Sequence, residues 1–332
     1  AHFASGVFDM QPIQIGNDNL NATFISYGAR IVDIRMVKND IPLILGFPNI
    51  ADYINDTSYL GAVVGRVANR IASGKAKIGS DFYEFDKNEH SIQTLHGGAK
   101  GCAFQNWQIA QNDAVSVTFA LSEPDGHMGF PGNCHLRVKY EILPPMCLKI
   151  TMQAISDKDG ICNLALHPYF CLDDSGDISA HELQIHAKHY LPVNELSIPT
   201  GEVHLVSNSR FNFLRPRKLT HIVAGSDKTI DHNFCLSETR VPIREVAVLY
   251  SSLSDINMKI SSTEAGLQFY TGHHLSATPE GHNQRSYSSF SGLCLEPQAW
   301  PDAPNQQNFP SIFLPANTLY QQICSFEFNM RR

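Results

Sequence analysis

Leu136-Arg137-Val138-Lys139-Tyr140-Glu141-Ile142, then Pro144-Pro145, then Leu148-Lys149-Ile150-Thr151-Met152-Gln153-Ala154 is the stretch that decides the fold class. In both runs every second residue is apolar and its neighbours are polar or charged. That period of two marks strands with one wet face, and the proline pair between them marks a turn. The same alternation returns at Val115, Val117, Phe119 and Leu121, and at Ile256, Met258 and Ile260. Glu123-Pro124-Asp125-Gly126 and Asp157-Lys158-Asp159-Gly160 supply further turns. Long helical periodicity is missing, and Asn49–Asn55 is the one short helix candidate. Many strands without a βαβ rhythm predict an all-β protein, a large antiparallel β-sandwich with few short helices. Neither a composition break nor a linker divides residues 1–332, which read as one domain. Ile25–Ile31 reads as another strand of the same sheet system.

The formal charge is −7, with 17% charged residues and no run of Lys or Arg. Nucleic acid and anionic membranes are therefore not expected partners, and no apolar run reaches membrane-spanning length. The start, Ala1–Ser5, lacks a basic end leading into an apolar core, so no signal peptide is expected. Eight cysteines lie at irregular spacings, several in apolar stretches: Cys162, Cys171, Cys235 and Cys294. They read as buried free thiols in a reducing compartment, and a cytoplasmic location is expected. The sequons at Asn21 and Asn55 read as chance matches.

The chemistry concentrates in six polar spots. Glu296 ends the apolar run Gly292–Leu295, just before Pro297 and a loop rich in Pro, Asn and Gln. A carboxylate partly desolvated at a strand end is a candidate general base, although a lone Glu is more often an ordinary surface residue. His167 leaves the strand-like Leu164–Leu166 straight into Pro168 and Tyr169-Phe170, which offer a stacking surface for a sugar ring. A satisfied core histidine is the competing reading. Asn69 and Arg70 sit among small and apolar residues in Gly65–Ile71, and Arg70 has a guanidinium suited to paired hydrogen bonds. His96 precedes Gly97-Gly98, a pattern for close backbone approach. Asp231 and Gln268, each flanked by apolar residues, complete the set.

Other chemistries fit less well. His181-Glu182-Leu183-Gln184-Ile185-His186 nearly spells a zinc protease motif, but its second His is one residue too far and the segment reads as strand. His273 and His274, as strand neighbours, would point to opposite faces. Phosphate-loop, nucleophile-elbow and dinucleotide patterns are absent from the sequence. What remains suits proton shuttling on a neutral polyhydroxy ligand, with a carboxylate base and an imidazolium acid and no expected metal.

Taken together these stretches resemble the aldose 1-epimerase (galactose mutarotase) family: Gly-Arg-Val-Ala-Asn-Arg-Ile at 65–71, Leu-His-Gly-Gly at 95–98, His-Pro-Tyr-Phe at 167–170, Asp-His-Asn-Phe at 231–234, Gln-Phe-Tyr-Thr-Gly at 268–272, and Leu-Glu-Pro-Gln with Pro-Asp-Ala-Pro-Asn at 295–305. Each is weak alone; all six in the family's order are specific. The resemblance implies a mutarotase-type β-sandwich, no cofactor, and interconversion of the α and β anomers of a free aldohexose of the glucose and galactose class. It implies Glu296 as the base at the C1 hydroxyl, His167 as the acid at the ring oxygen, and His96 as an assistant there. Asn69, Arg70, His96, Asp231 and Gln268 would hold the sugar, with Tyr169 expected beside them as a stacking surface. A monomer or homodimer acting on a small-molecule sugar is expected. Leu166 and Cys171 stand where many members carry Asn, which predicts that an orienting contact to the imidazole or the sugar is lost.

Two alternatives stay open. A hexose-6-phosphate 1-epimerase of the same fold would need a basic cluster, for which Arg66, Arg70 and Lys100 are the nominees. A non-catalytic carbohydrate-binding protein would need aromatics and donors but no Glu296–His167 pair. A glycosidase built on Glu296 and Asp231 would leave His167 without a role.

Overall fold

The computed structural model describes residues 10–225, 229–276 and 279–331. The Cys134–Leu143 and Cys147–Ser156 strands pair antiparallel in unbroken register, from Cys134 opposite Ser156 to Leu143 opposite Cys147. They lie inside a nine-stranded sheet that runs from Arg217–Lys218 at one edge, through Arg244–Ser251 and Tyr320–Met330, to Gln108–Asn112 at the other. The alternating apolar residues all turn one way. Leu136, Val138, Tyr140, Leu148, Ile150 and Met152 are buried, while Arg137, Lys139, Lys149 and Thr151 take the wetter face.

That apolar face is covered by a five-stranded antiparallel sheet of His204–Leu205, His189–Tyr190, Asp231–Cys235, Gly266–Tyr270 and Cys294–Gln298. Phe234, Leu267, Phe269 and Leu295 from this sheet join Val138, Ile150, Ile260 and Phe326 from the large one in a single core cluster. Phe170 packs edge-on against Phe326 at 5.0 Å between ring centroids. The expected antiparallel sandwich is present. Among the described residues helix is confined to short pieces, including a 3-10 turn at Ile50–Asn55, where the Asn49 side chain accepts from the Ala51 amide, and an α-helix at Thr220–Ala224.

The N-terminal reading needs correction. Ile25–Ile31 is not one strand. Leu20–Ile25 ends, Gly28 and Ala29 turn the chain with positive φ (74° and 44°), and Arg30–Met36 pairs back along it. With Ile13–Gly16 these strands make a separate three-stranded sheet. Arg30 is buried there, and its Nη1 donates to Asp56 Oδ2 at 2.6 Å and to the Leu60 carbonyl at 3.0 Å. All eight cysteines are free thiols, and all but Cys147 are buried. His181–Ile185 is a strand, as the spacing predicted. His273 and His274 are not on a strand: they follow the end of Gly266–Tyr270, and their rings lie 4.2 Å apart. Among the described residues no helix is long and apolar enough to cross a membrane.

Candidate active site

Three neighbouring strands of the smaller sheet carry the acidic side of a cleft. Gln268 pairs directly opposite Glu296, and Asn233 opposite Gln268, so Asp231 lies on the same face two residues along. That register brings Gln268 Nε2 within 2.6 Å of Asp231 Oδ1. His167 enters from a different element. It follows the short strand Ala165–Leu166, which pairs with Val63–Val64, and its own amide and carbonyl bond to Ala62 and Gly61. Backbone pairing through both its amide and its carbonyl therefore fixes where the imidazole emerges.

Asn69, Arg70 and His96 arrive together. Arg70–Ile71 pairs with Thr94–Leu95, and at the end of this ribbon Asn69 (φ 62°) and His96 (φ 52°) both take left-handed backbone. His96 N–H donates to the Asn69 carbonyl at 3.0 Å, and Asn69 N–H donates to His96 Nδ1 at 3.1 Å. A ring that accepts at Nδ1 carries its proton at Nε2 when neutral. Gly97 is required here, since a Cβ would sit 2.0 Å from the Gly65 carbonyl oxygen.

These groups line a cavity of about 260 Å³, just below the usual range for ligand pockets (about 300–1,000 Å³) and suited to a single small ring. Asn69, Arg70, His96, His167, Tyr169, Asp231 and Glu296 all line it, and Gln268 stands behind Asp231. Tyr59 and Glu89 also line it and escaped the sequence reading. Tyr59 packs on both imidazoles, 4.7 Å from His96 and 5.9 Å from His167 between centroids. The Tyr169 hydroxyl donates to the Ser58 carbonyl at 3.0 Å, so its ring, 5.2 Å from His167, is what faces the cleft chemistry.

His167 Nε2 lies 3.7 Å from Glu296 Oε1, with both residues buried. Glu296 Oε2 is buried without a hydrogen-bond partner among the described residues. Burial raises the Glu296 carboxyl well above the usual carboxylate range; the Asp231 charge adds to this, and Arg70 opposes it. Burial lowers the His167 imidazole to about 4. Burial also takes His96 well below its ordinary value, helped by His167 and Arg70. Burial thus disfavours the charged form of both partners, and the carboxylate–imidazolium arrangement expected from the sequence is the charged form of this coupled pair.

The predicted loss of an orienting contact at Leu166 and Cys171 falls outside the cleft. Leu166 belongs to the main core, and Cys171 Sγ packs against the Asp173 and Asp177 carbonyls. The imidazole's Nδ1 instead meets Cys294 Sγ at 3.6 Å. His167, Cys294 and Glu296 place three metal-capable atoms within 4.8 Å of one another, as do Cys171, Asp173 and His181. In the second group Leu172 N–H donates to His181 Nε2, which puts the neutral ring's proton on Nδ1, the atom a metal would need. The basic cluster needed for phosphate does not form. Arg66 is buried against Glu123 and the Pro131 carbonyl, and neither Arg66 nor Lys100 lines the cleft.

An acid–base pair enclosed by neutral donors and aromatic rings, on an antiparallel sandwich, is equipped to move protons on a hydroxyl-rich ring. A family model described as aldose 1-epimerase matches residues 11–327. Galactose mutarotase from Rattus norvegicus is 35% identical over 334 residues, covering 98% of this chain and 96% of that protein. Aldose 1-epimerase from Escherichia coli K12 is 31% identical, covering 96% of each. The crystal structure of an aldose epimerase homologue from C. elegans superposes with a TM-score of 0.90 at 25% identity, over 97% of this chain and 99% of that one. The chain belongs to the aldose 1-epimerase family.

Proposed function

We infer that this chain is an isomerase that interconverts the α and β anomers of a free aldohexose by opening and reclosing the ring. The observation that carries the reading is the buried Glu296–His167 pair at 3.7 Å, facing a cleft of single-sugar size. Ring opening removes the proton from the C1 hydroxyl and adds one to the ring oxygen. A pair holding one proton does both without exchange with solvent. Glu296 as carboxylate takes the C1 proton while His167 as imidazolium protonates the ring oxygen, and the step ends with the proton on Glu296 and a neutral imidazole. Burial favours that uncharged end state over the charged pair. Rotation about C1–C2 and the reverse transfers give the other anomer.

His96 Nε2–H is placed to hydrogen-bond a ring or hydroxyl oxygen, and its lowered affinity for protons makes it a neutral donor. Arg70 Nη1 and Asp231 Oδ2, 3.4 Å apart, present a donor and an acceptor as vicinal hydroxyls require. The unbroken family match over residues 11–327 supports one domain. The absence of Arg66 and Lys100 from the cleft lining speaks against a phosphate-bearing substrate, and a simple binder has no use for the acid–base pair. Polarimetry of fresh α-D-galactose and α-D-glucose with wild type and Glu296→Gln tests the reading. The variant loses on the order of 10²–10⁴-fold in kcat as a positioned base is removed; equal rates for the two proteins would reject Glu296 as the base.

A further inference from the structure

The guanidinium of Arg70 does not face the cleft freely. Its Nε and Nη2 donate to the two oxygens of Glu89, at 2.8 and 2.9 Å, in a fork-to-fork pair. Glu89 is in turn fixed from behind. Gln93 Nε2 donates to Glu89 Oε2 at 2.5 Å and to the Leu196 carbonyl at 3.0 Å. The backbones of Glu89 and Gln93 bridge each other across a tight turn in which His90 and Ser91 both have positive φ (54° and 58°). A turn held in two left-handed residues, with a buried glutamine behind it, serves to hold one carboxylate still. Only Nη1 of Arg70 remains directed inward, toward Asp231.

The charge balance follows from this clamp. Of the described residues lining the cleft, Arg70 is the one with a fixed positive charge, while Glu89, Asp231 and Glu296 are acids. The burial-lowered imidazoles of His96 and His167 add no charge at neutral pH. A phosphate or carboxylate on the sugar would meet a guanidinium whose better fork is already occupied, in a cleft whose Glu89 and Asp231 carboxylates repel it.

We propose that Glu89 is a positioning and specificity-determining residue: it orients Arg70 for a neutral hydroxyl pair and closes the cleft to anionic aldoses such as hexose 6-phosphates and uronic acids. This rests on the reading of the cleft as an aldose site. The test measures anomer exchange of D-galactose by NMR at fixed ionic strength, with D-glucose 6-phosphate, D-glucuronate and neutral D-xylose as inhibitors, for wild type, Glu89→Gln and Glu89→Asp. The wild type binds xylose and is inhibited far more weakly by both anions. Glu89→Gln removes the charge, and its inhibition constants for the anions, taken relative to xylose, fall on the order of tenfold, as expected for one like charge removed at close range. Glu89→Asp keeps the charge but shortens the reach, so it raises KM for galactose several-fold while still refusing the anions. A purely structural Glu89 would move activity but not the anion-to-neutral ratio. An unchanged ratio in Glu89→Gln, or wild type inhibited equally by anions and xylose, overturns the proposal. Loss of galactose exchange in the wild type itself would overturn the aldose reading beneath it.

Discussion

His167→Gln tests the site through its protonation rather than through its rate. The imidazole is 5% exposed, and burial lowers it from the ordinary 6.5 to about 4. A depressed value means that the folded state favours the neutral ring. Above pH 6.5 folded and unfolded chains are both neutral there, and His167 contributes no pH dependence. Below it the unfolded chain takes up a proton that the folded chain refuses until about pH 4, so stability is lost as pH falls through that window. The gap is worth roughly 3 kcal/mol at about 1.4 kcal/mol per pH unit. Urea unfolding of wild type and variant at about pH 7.5, 5.5 and 4 reads this, because titrating groups remote from the site cancel in the difference. The stability of wild type relative to His167→Gln should be flat above pH 6.5 and fall by roughly 3 kcal/mol by pH 4. The kinetic counterpart is an acid limb of kcat/KM near pH 4 in the wild type, where the buried imidazole takes up its proton. A stability difference that stays flat to pH 4, with an acid limb near 6.5, would refute a buried neutral imidazole.

Two further outcomes follow from the same geometry. Asp231→Asn removes a charge that raises the Glu296 carboxyl, so the alkaline limb of the pH–rate profile should move to lower pH while KM for the sugar rises; an unmoved limb counts against the coupling. Asp56→Ala strands the buried Arg30 guanidinium that it meets at 2.6 Å, and it should cost about 3–5 kcal/mol in urea unfolding, whereas a loss below about 1 kcal/mol would show that water or the Leu60 carbonyl suffices.

The sandwich was legible because its long strands obey one rule. Leu136–Ile142 and Leu148–Ala154 alternate cleanly, and a sheet with one buried face demands that alternation. The rule failed at Ile25–Ile31, where apolar residues continue through a turn, because Gly28 and Ala29 are buried in the turn itself. The residues gathered at the cleft were legible as polar residues interrupting apolar runs, since a strand end that points inward must replace an apolar residue by a functional one. Glu89 and Tyr59 were not. Glu89 lies in the polar stretch Lys87-Asn88-Glu89-His90, which reads as solvated loop, and its fork with Arg70 depends on a turn of two left-handed residues that carry no glycine signal. Tyr59 too sits at positive φ (59°) in an irregular segment, outside any period. Leu166 and Cys171, where many family members carry Asn, lie away from the cleft lining: Leu166 turns into the core and the Cys171 thiol packs on nearby carbonyls.

The central claim is that one protein-held proton opens and recloses an aldose ring. Two-dimensional exchange NMR on an equilibrium mixture of D-galactose anomers, with and without the wild-type protein at neutral pH, measures that event without a net reaction. The account predicts exchange cross-peaks between the α and β anomeric protons that grow with protein concentration and vanish on replacement with Glu296→Gln. Anomeric protons of galactose and glucose that exchange no faster with the protein than in buffer alone would contradict it.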